Sequence, residues 1–128
     1  MIRRFSLVFI ALVFTAVAAQ AGSLKPYQAN AFEQAMSAGK TVIVHVHAEW
    51  CPVCHRQVPA LQALADDPAL ADAEFIQVNF DKDRDFLQAN RISGQSVILV
   101  FREGREVERL IGVTDSARIQ SAVKAAVS

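Results

Sequence analysis

The feature that most constrains this chain is a pair of cysteines, Cys51 and Cys54, at a point where one kind of secondary structure gives way to another. Residues 41–47 (TVIVHVH) form a short, β-branched segment whose central residues are apolar on both faces, which predicts a buried strand. Residues 52–65 repeat apolar side chains at helical spacing. Cys51 is therefore expected at a helix N-terminus, where unpaired backbone N–H groups and the helix dipole stabilise a thiolate.

This position predicts redox chemistry for the two thiols. The thiolate is the nucleophile in disulfide exchange, and the spacing brings Cys54 within bonding reach of Cys51 on the first helical turn. Cys51 can attack a substrate disulfide, and Cys54 can resolve the mixed disulfide. Both sulfurs then finish as a Cys51–Cys54 disulfide. Because the dithiol itself carries the electrons, we expect no dissociable cofactor.

The rest of the chain predicts an α/β domain. Strands that alternate with helices pair in parallel, and a tight turn near the C-terminus makes the last pair antiparallel. The result is a central mixed sheet with helices on both faces. In chain order the predicted elements are a helix over 24–38 with Pro26 in its first turn, the strand 41–47, the helix 52–65 kinked at Pro59, the strand 74–80, a helix over 83–90, the strands 97–101 and 106–111 joined by a turn, and a final helix capped by Asp115 or Ser116.

Composition narrows the classes of function. A chain of 128 residues forms one domain, and we expect a monomer. Its 13 basic and 13 acidic residues leave no positive surplus for binding nucleic acid or an anionic membrane. Two cysteines are too few for a disulfide framework.

The first residues have the three-part pattern of a secretory signal peptide. Arg3 and Arg4 give a basic start, residues 5–19 are almost wholly apolar, and Ala19 and Ala21 put small residues where a signal peptidase cuts. We therefore expect a signal peptide over 1–21 and a folded domain over 22–128. A cut after Ala18 and an uncleaved anchor are the alternatives. After cleavage we expect no stable membrane insertion and a periplasmic location, where disulfides persist.

Residues 48–54 (AEWCPVC) resemble the A-x-W-C-x-x-C signature of the thioredoxin superfamily. The flanking strand and helix, the later VILVF strand, the Gly104 turn and Gly112 also fit. The resemblance implies a thioredoxin fold over residues 22–128 and a thiol–disulfide oxidoreductase that acts on protein thiols and disulfides, with Cys51 and Cys54 as the catalytic pair.

Residues 32–58 are most similar to exported thioredoxin-like domains, including the C-terminal domain of the inner-membrane thiol transporters. This resemblance implies a reductant that takes part in cell redox homeostasis. In an oxidising compartment a reductant needs an electron donor, and a membrane thiol transporter is the partner that the resemblance implies.

One departure from the family pattern lies in the stretch 94–97 (GQSV), where Ser96 replaces the usual cis-proline. A cis bond before a residue other than proline costs about 3–4 kcal/mol, so we expect the Gln95–Ser96 peptide to be trans. Family members pair backbone beside this proline with the substrate. The resemblance passes that substrate-binding role to Gln95 and Ser96.

A second departure is His45, which occupies the place of a buried aspartate that serves proton transfer to the resolving cysteine in thioredoxins. A histidine titrates nearer neutrality and can do similar work, or it can simply fill the core. Trp50 is expected to shield the cysteines and offer a flat apolar surface to substrate, or to anchor its loop. Pro52 and Val53, between the cysteines, do not settle the redox direction.

Three other uses of the cysteines stay open at this point. Cys51, Cys54 and His55 also satisfy the C-x-x-C-H pattern of c-type haem attachment. Two thiolates near His45, His47 or His55 would suit copper or zinc, as in an exported metal-binding chaperone. The third alternative is a structural disulfide in a redox-inactive binding module. From the sequence we expect no bound metal.

Overall fold

A computed structural model of the protein describes residues 24–128, so the predicted signal peptide lies outside the described residues. The central element is a five-stranded sheet. Its strands are β1 (Lys25–Pro26), β2 (Val42–His47), β3 (Glu74–Asn79), β4 (Val97–Arg102) and β5 (Arg105–Ile111). Their spatial order is β1-β3-β2-β4-β5, which places β2 in the centre.

The sheet is mixed, as the sequence predicts. Strand β2 pairs in parallel with β3 and antiparallel with β4, and β5 returns antiparallel to β4. The turn between β4 and β5 contains Gly104 at φ +77°, a left-handed conformation that glycine adopts without steric cost. All six residues of β2 are buried, as expected for a strand covered on both faces.

Four helices cover the two faces of the sheet. They are α1 (Ala29–Ser37), α2 (Pro52–Ala65), α3 (Arg84–Ala89) and α4 (Ser116–Val127), with a short 3-10 helix at Pro68–Leu70. Residues from α1 and α3 pack in one apolar cluster, and residues from α2 and α4 pack in the other. Helix α2 continues through Pro59 without ending there. Asp115 is the cap of α4, where its side chain accepts a hydrogen bond from the Arg118 N–H at 2.7 Å.

The predicted start of the first helix is wrong. Pro26 does not lie in a helical turn but in β1, which pairs with β3 in the register Pro26↔Gln77. The N–H of Tyr27 extends this pairing with a 2.9 Å bond to the Gln77 carbonyl. Proline is tolerated here because β1 is an edge strand, where its missing N–H is not needed. No helix among residues 24–128 is long and apolar enough to span a bilayer.

Candidate active site

Cys51 caps the N-terminus of α2, as predicted from its position in the sequence. Its backbone is extended, and its Sγ accepts a hydrogen bond from the Cys54 N–H at 3.2 Å. Pro52 follows in the first turn of the helix, where an N–H would have no partner inside the helix. The Cys51 N–H bonds back to the Ala48 carbonyl at 3.0 Å, which fixes the turn that delivers the cysteine. Both cysteines are free thiols in this structure.

Ser96 places its hydroxyl between the two sulfurs. Its Oγ lies 3.1 Å from Cys51 Sγ and 3.1 Å from Cys54 Sγ. The described residues contain no cis peptide bond, so the expected trans Gln95–Ser96 peptide is confirmed. Ser96 instead has a left-handed backbone, with φ +64°. This conformation costs a residue with a side chain about 1–2 kcal/mol, and the surrounding contacts must offset that cost.

The two thiols have different acidities. Burial works to raise the pKa of Cys51, but hydrogen bonds from the Cys54 thiol, the Ser96 hydroxyl and the backbone N–H groups at the helix start lower it below its ordinary value. Burial raises the pKa of Cys54, and the hydrogen bond that its thiol gives to Cys51 raises it further. Of the two sulfurs, Cys51 is therefore the one that forms a thiolate more readily.

His45 lies in the interior under Cys54 and is fully buried. Its Nε2 is 2.9 Å from Gln57 Oε1. Burial lowers the pKa of His45 to about 4, the Gln57 bond opposes the shift, and His47 and His55 add to it. Of the two roles considered for His45, this pKa supports the filling of the core and not titration near neutrality, because the interior disfavours the charged ring. At neutral pH the imidazole is neutral.

Gln57 is a site residue that the sequence analysis missed. It is fully buried, and its Nε2 donates to the Ser96 carbonyl at 3.1 Å and to the Val113 carbonyl at 2.9 Å. One amide thus joins His45 to the Ser96 segment. A signal was present in the sequence, since Gln57 lies three residues after Cys54 and four before Leu61 on the buried stripe of α2. A polar side chain on such a stripe must find polar partners.

His47 lies beyond His45 on the same face of β2 and is buried. Its Nε2 is 3.3 Å from Glu49 Oε1, on an exposed side chain. The exposed His55 donates from Nε2 to the Glu49 carbonyl at 2.7 Å. The structure thus brings His45, His47 and Cys54 together in the interior and leaves His55 at the surface.

Trp50 is exposed and anchored, and its contact with substrate stays a prediction. Its side chain is 59% exposed beside the cysteines, and its Nε1–H donates to Asp81 Oδ2 at 2.9 Å. The backbone of Ser96 offers nothing to a substrate, because its N–H bonds to the Val46 carbonyl and its carbonyl accepts from the Gly112 N–H, both at 2.9 Å. The predicted backbone pairing is thus wrong for Ser96. Gln95 makes no backbone hydrogen bond within residues 24–128 and remains available.

Comparisons with known proteins agree with this fold and site. The family model described as thioredoxin matches residues 23–125. The thioredoxin of Mycoplasma genitalium is 38% identical over 87 residues, which are 68% of this chain and 83% of the relative. Thioredoxin-1 of Saccharomyces cerevisiae is 30% identical over 97 residues, covering 76% of this chain and 91% of the relative.

A solved structure is similar over most of the described domain. The crystal structure of Trxlp from Edwardsiella tarda has a TM-score of 0.74 and 42% identity, and it covers 77% of this chain and 96% of that one. The predicted fold is confirmed, with five strands flanked by helices. The chain belongs to the thioredoxin family, and it is a thiol–disulfide oxidoreductase that carries the C-x-x-C motif as Cys51 and Cys54 with Trp50 before them.

Proposed function

We propose that this protein is an exported reductant of protein disulfides, in which Cys51 attacks and Cys54 resolves. The Cys51 thiolate attacks one sulfur of the substrate disulfide and releases the other as a thiolate, which leaves a mixed disulfide. Cys54 attacks Cys51 Sγ and breaks the bond to the substrate, and its proton passes to the second substrate sulfur, which leaves as a thiol. Two electrons pass to the substrate, and the protein is left with a Cys51–Cys54 disulfide.

The observation that carries this order of events is the unequal hydrogen bonding of the two sulfurs. The Ser96 hydroxyl is equally close to both sulfurs, but only Cys51 Sγ accepts a hydrogen bond from a backbone N–H, that of Cys54 at the helix start. Cys54 Sγ is fully buried and contacts the Val46 carbonyl at 3.8 Å, which can only accept a hydrogen bond. A developing negative charge is thus stabilised at Cys51, while Cys54 stays protonated until the mixed disulfide forms.

The substrate contacts are proposed from the surface around Cys51. The exposed indole of Trp50, one residue before Cys51, offers apolar area and is held in place by Asp81. The Gln95 backbone is free to pair with an extended substrate segment, in the manner of an added strand. Pro52 and His45 support the pair, Pro52 by starting α2 and His45 as a neutral group under Cys54.

Export to the periplasm and the electron donor are proposals that rest on the sequence. Residues 1–21 have the composition of a cleaved signal peptide. A protein that reduces disulfides in an oxidising compartment must be reduced again, and a membrane thiol transporter is the proposed donor. Cell fractionation with N-terminal sequencing of the accumulated protein tests export. A chain that starts at Met1 in the cytoplasm would contradict it.

Paired cysteine variants test the roles of the two sulfurs. Cys54→Ala should accumulate mixed disulfides with protein substrates, because Cys51 still attacks and nothing resolves the product. Cys51→Ala, the matched control, should trap nothing and lose turnover. Trapping by Cys51→Ala but not by Cys54→Ala would reverse the assignment.

The reduction potential tests the direction of electron flow. A value near about −270 mV, as in thioredoxin, is expected for a reductant. A value near about −120 mV, as in a strong oxidant, would overturn the reducing direction and remove the need for a donor.

A further inference from the structure

Disulfide exchange does not account for a cluster of three side chains under the active site. His45, His47 and Cys54 are 0%, 5% and 0% exposed. One ring nitrogen of each histidine and the sulfur of Cys54 all lie within 4.8 Å of one another. Among the described residues, neither histidine is hydrogen-bonded to either sulfur.

The hydrogen bonds around Gln57 settle which nitrogen of His45 is free. Gln57 contacts two carbonyl oxygens through Nε2, so that atom must be its N–H donor and Oε1 must face His45. The His45 nitrogen that contacts Oε1, Nε2, therefore carries the hydrogen. Because the ring is neutral, its Nδ1 has a bare lone pair. Nδ1 is buried and has no hydrogen-bond partner among the described residues.

His47 repeats this arrangement. Its Nε2 faces the Glu49 carboxylate at 3.3 Å, and its Nδ1 is buried without a partner among residues 24–128. A buried polar atom that lacks a partner destabilises the fold, so two such atoms side by side call for an explanation. Histidines that bind metals usually hold one ring N–H against an oxygen and present the other nitrogen to the ion. Each ring keeps Nε2 against an oxygen and has its Nδ1 without a partner among the described residues, and a ring nitrogen of each lies within 4.8 Å of the Cys54 sulfur.

We propose that the reduced protein binds one Cu(I) ion through the imidazoles of His45 and His47 and the thiolate of Cys54. Two imidazoles and one thiolate form the trigonal ligand set of blue-copper sites, and a soft thiolate favours Cu(I). On binding, Cys54 releases its proton to solvent and its sulfur bonds to the ion. The charge of the ion and that of the thiolate then cancel in the interior, whereas a divalent ion would leave a net positive charge there.

Copper binding and disulfide formation exclude one another, because both use Cys54 Sγ. The Cys51–Cys54 disulfide should therefore bind no Cu(I) at this site. Bound Cu(I) should in turn stop turnover, since Cys54 can no longer resolve the mixed disulfide. The binding itself does not depend on the proposed direction of electron flow or on export.

The first test is an anaerobic titration of the reduced protein, in the form that cells accumulate, against a chromophoric Cu(I) chelator. We expect one Cu(I) per reduced protein and none per oxidised protein. X-ray absorption at the copper edge should then show two nitrogen neighbours and one sulfur. Two sulfurs without nitrogen would overturn the proposal, since the ion would then sit between the cysteines alone. Failure to compete for any Cu(I) would overturn it as well.

Single substitutions distinguish the proposed copper ligands from the other cysteine and histidine nearby. His47→Gln and Cys54→Ser each remove a ligand and should abolish the competition for Cu(I), while Cys51→Ser should retain it. Gln57→Leu removes the partner that orients His45 and should weaken binding by about 10- to 100-fold. His55→Gln is the matched control, because His55 is exposed and groups only with His47 and Glu49. Loss of binding in His55→Gln or Cys51→Ser, or tighter binding of Zn(II) than of Cu(I), would contradict the proposed ligands or ion.

Discussion

The two faces of the sheet differ although they share the same central strand. On the face covered by α1 and α3, β2 contributes Val42, Val44 and Val46 to a wholly apolar cluster. On the face covered by α2 and α4, the same strand contributes Ile43 and then His45 and His47. Because side chains alternate along a strand, six consecutive residues can serve packing on one side and chemistry on the other.

The two faces of the sheet need different interactions with the helices that cover them. The α1/α3 face is filled by aromatic rings, with Phe86 at 5.0 Å from Tyr27 and 5.3 Å from Phe32 between ring centres. Such packing depends on shape and apolar area. The α2/α4 face must also satisfy the hydrogen bonds of His45 and Gln57. We therefore expect substitutions on the first face to change stability alone, and those on the second to change stability and the site together.

The largest effect on stability is expected for Phe86→Ala. Loss of this buried ring should lower the free energy of unfolding by about 3–5 kcal/mol, through lost apolar burial and the cavity left behind. Turnover by the folded fraction should not change, since Phe86 belongs to the cluster opposite His45. Denaturant unfolding and an assay at low temperature measure the two quantities. Val107→Ala, half exposed on β5, is the control, and an equal loss there would contradict the role of burial.

The second prediction concerns the pH dependence that His45 confers. Its pKa falls from 6.5 to about 4 on folding, so the unfolded chain binds more protons between these values and stability decreases as pH falls through them. The loss amounts to about 3 kcal/mol between pH 6.5 and 4. Unfolding free energies measured over this range should show a shallower slope for His45→Gln. The same slope in both proteins would mean that other groups cause it.

The third prediction tests the network around Gln57. Gln57→Leu leaves the His45 N–H and the Val113 carbonyl without their partner in the interior, which should cost about 1–3 kcal/mol. Gln62→Leu, an exposed position on the same helix, should change stability by less than about 0.5 kcal/mol. Chemical denaturation compares the two. A similar small change in both would show that solvent reaches the polar groups around Gln57.

The fold could be predicted from the sequence further than the site could. Strand and helix patterns are local, so the mixed sheet and the cysteine at a helix start followed from spacing alone. The two-residue strand β1 was not predicted, because it is too short to show the alternation of side chains typical of a strand. Pro26 is also typical of a helix start. The network of His45, Gln57 and Ser96 joins β2, α2 and the segment just before β4, with a separation of 12 residues from His45 to Gln57 and of 39 from Gln57 to Ser96. Only the packing of α2 on the sheet reveals it.

The smallest predicted effect separates the two properties of Ser96, its hydroxyl and its left-handed backbone. Ser96→Ala and Ser96→Gly both remove the hydroxyl that lies 3.1 Å from each sulfur. Both should raise the pKa of Cys51, because the thiolate loses a donor. At a pH below the raised pKa, Cys51 should be alkylated more slowly in the variants than in the unaltered protein, because less of it is thiolate. At a pH above it, the two rates should be equal.

The two variants should differ in stability, since alanine keeps a Cβ at φ +64° and glycine does not. Ser96→Gly should therefore be more stable than Ser96→Ala by about 1 kcal/mol, measured by denaturant unfolding of the reduced proteins. Equal stabilities would mean that the segment relaxes when the hydroxyl is lost, so that the sulfurs themselves hold Ser96 in its conformation. A clear difference would mean that the backbone bonds to Val46 and Gly112 impose it. In that case the backbone of the fold fixes the position of Ser96, and the contact with the two sulfurs is a consequence of that position and not its cause.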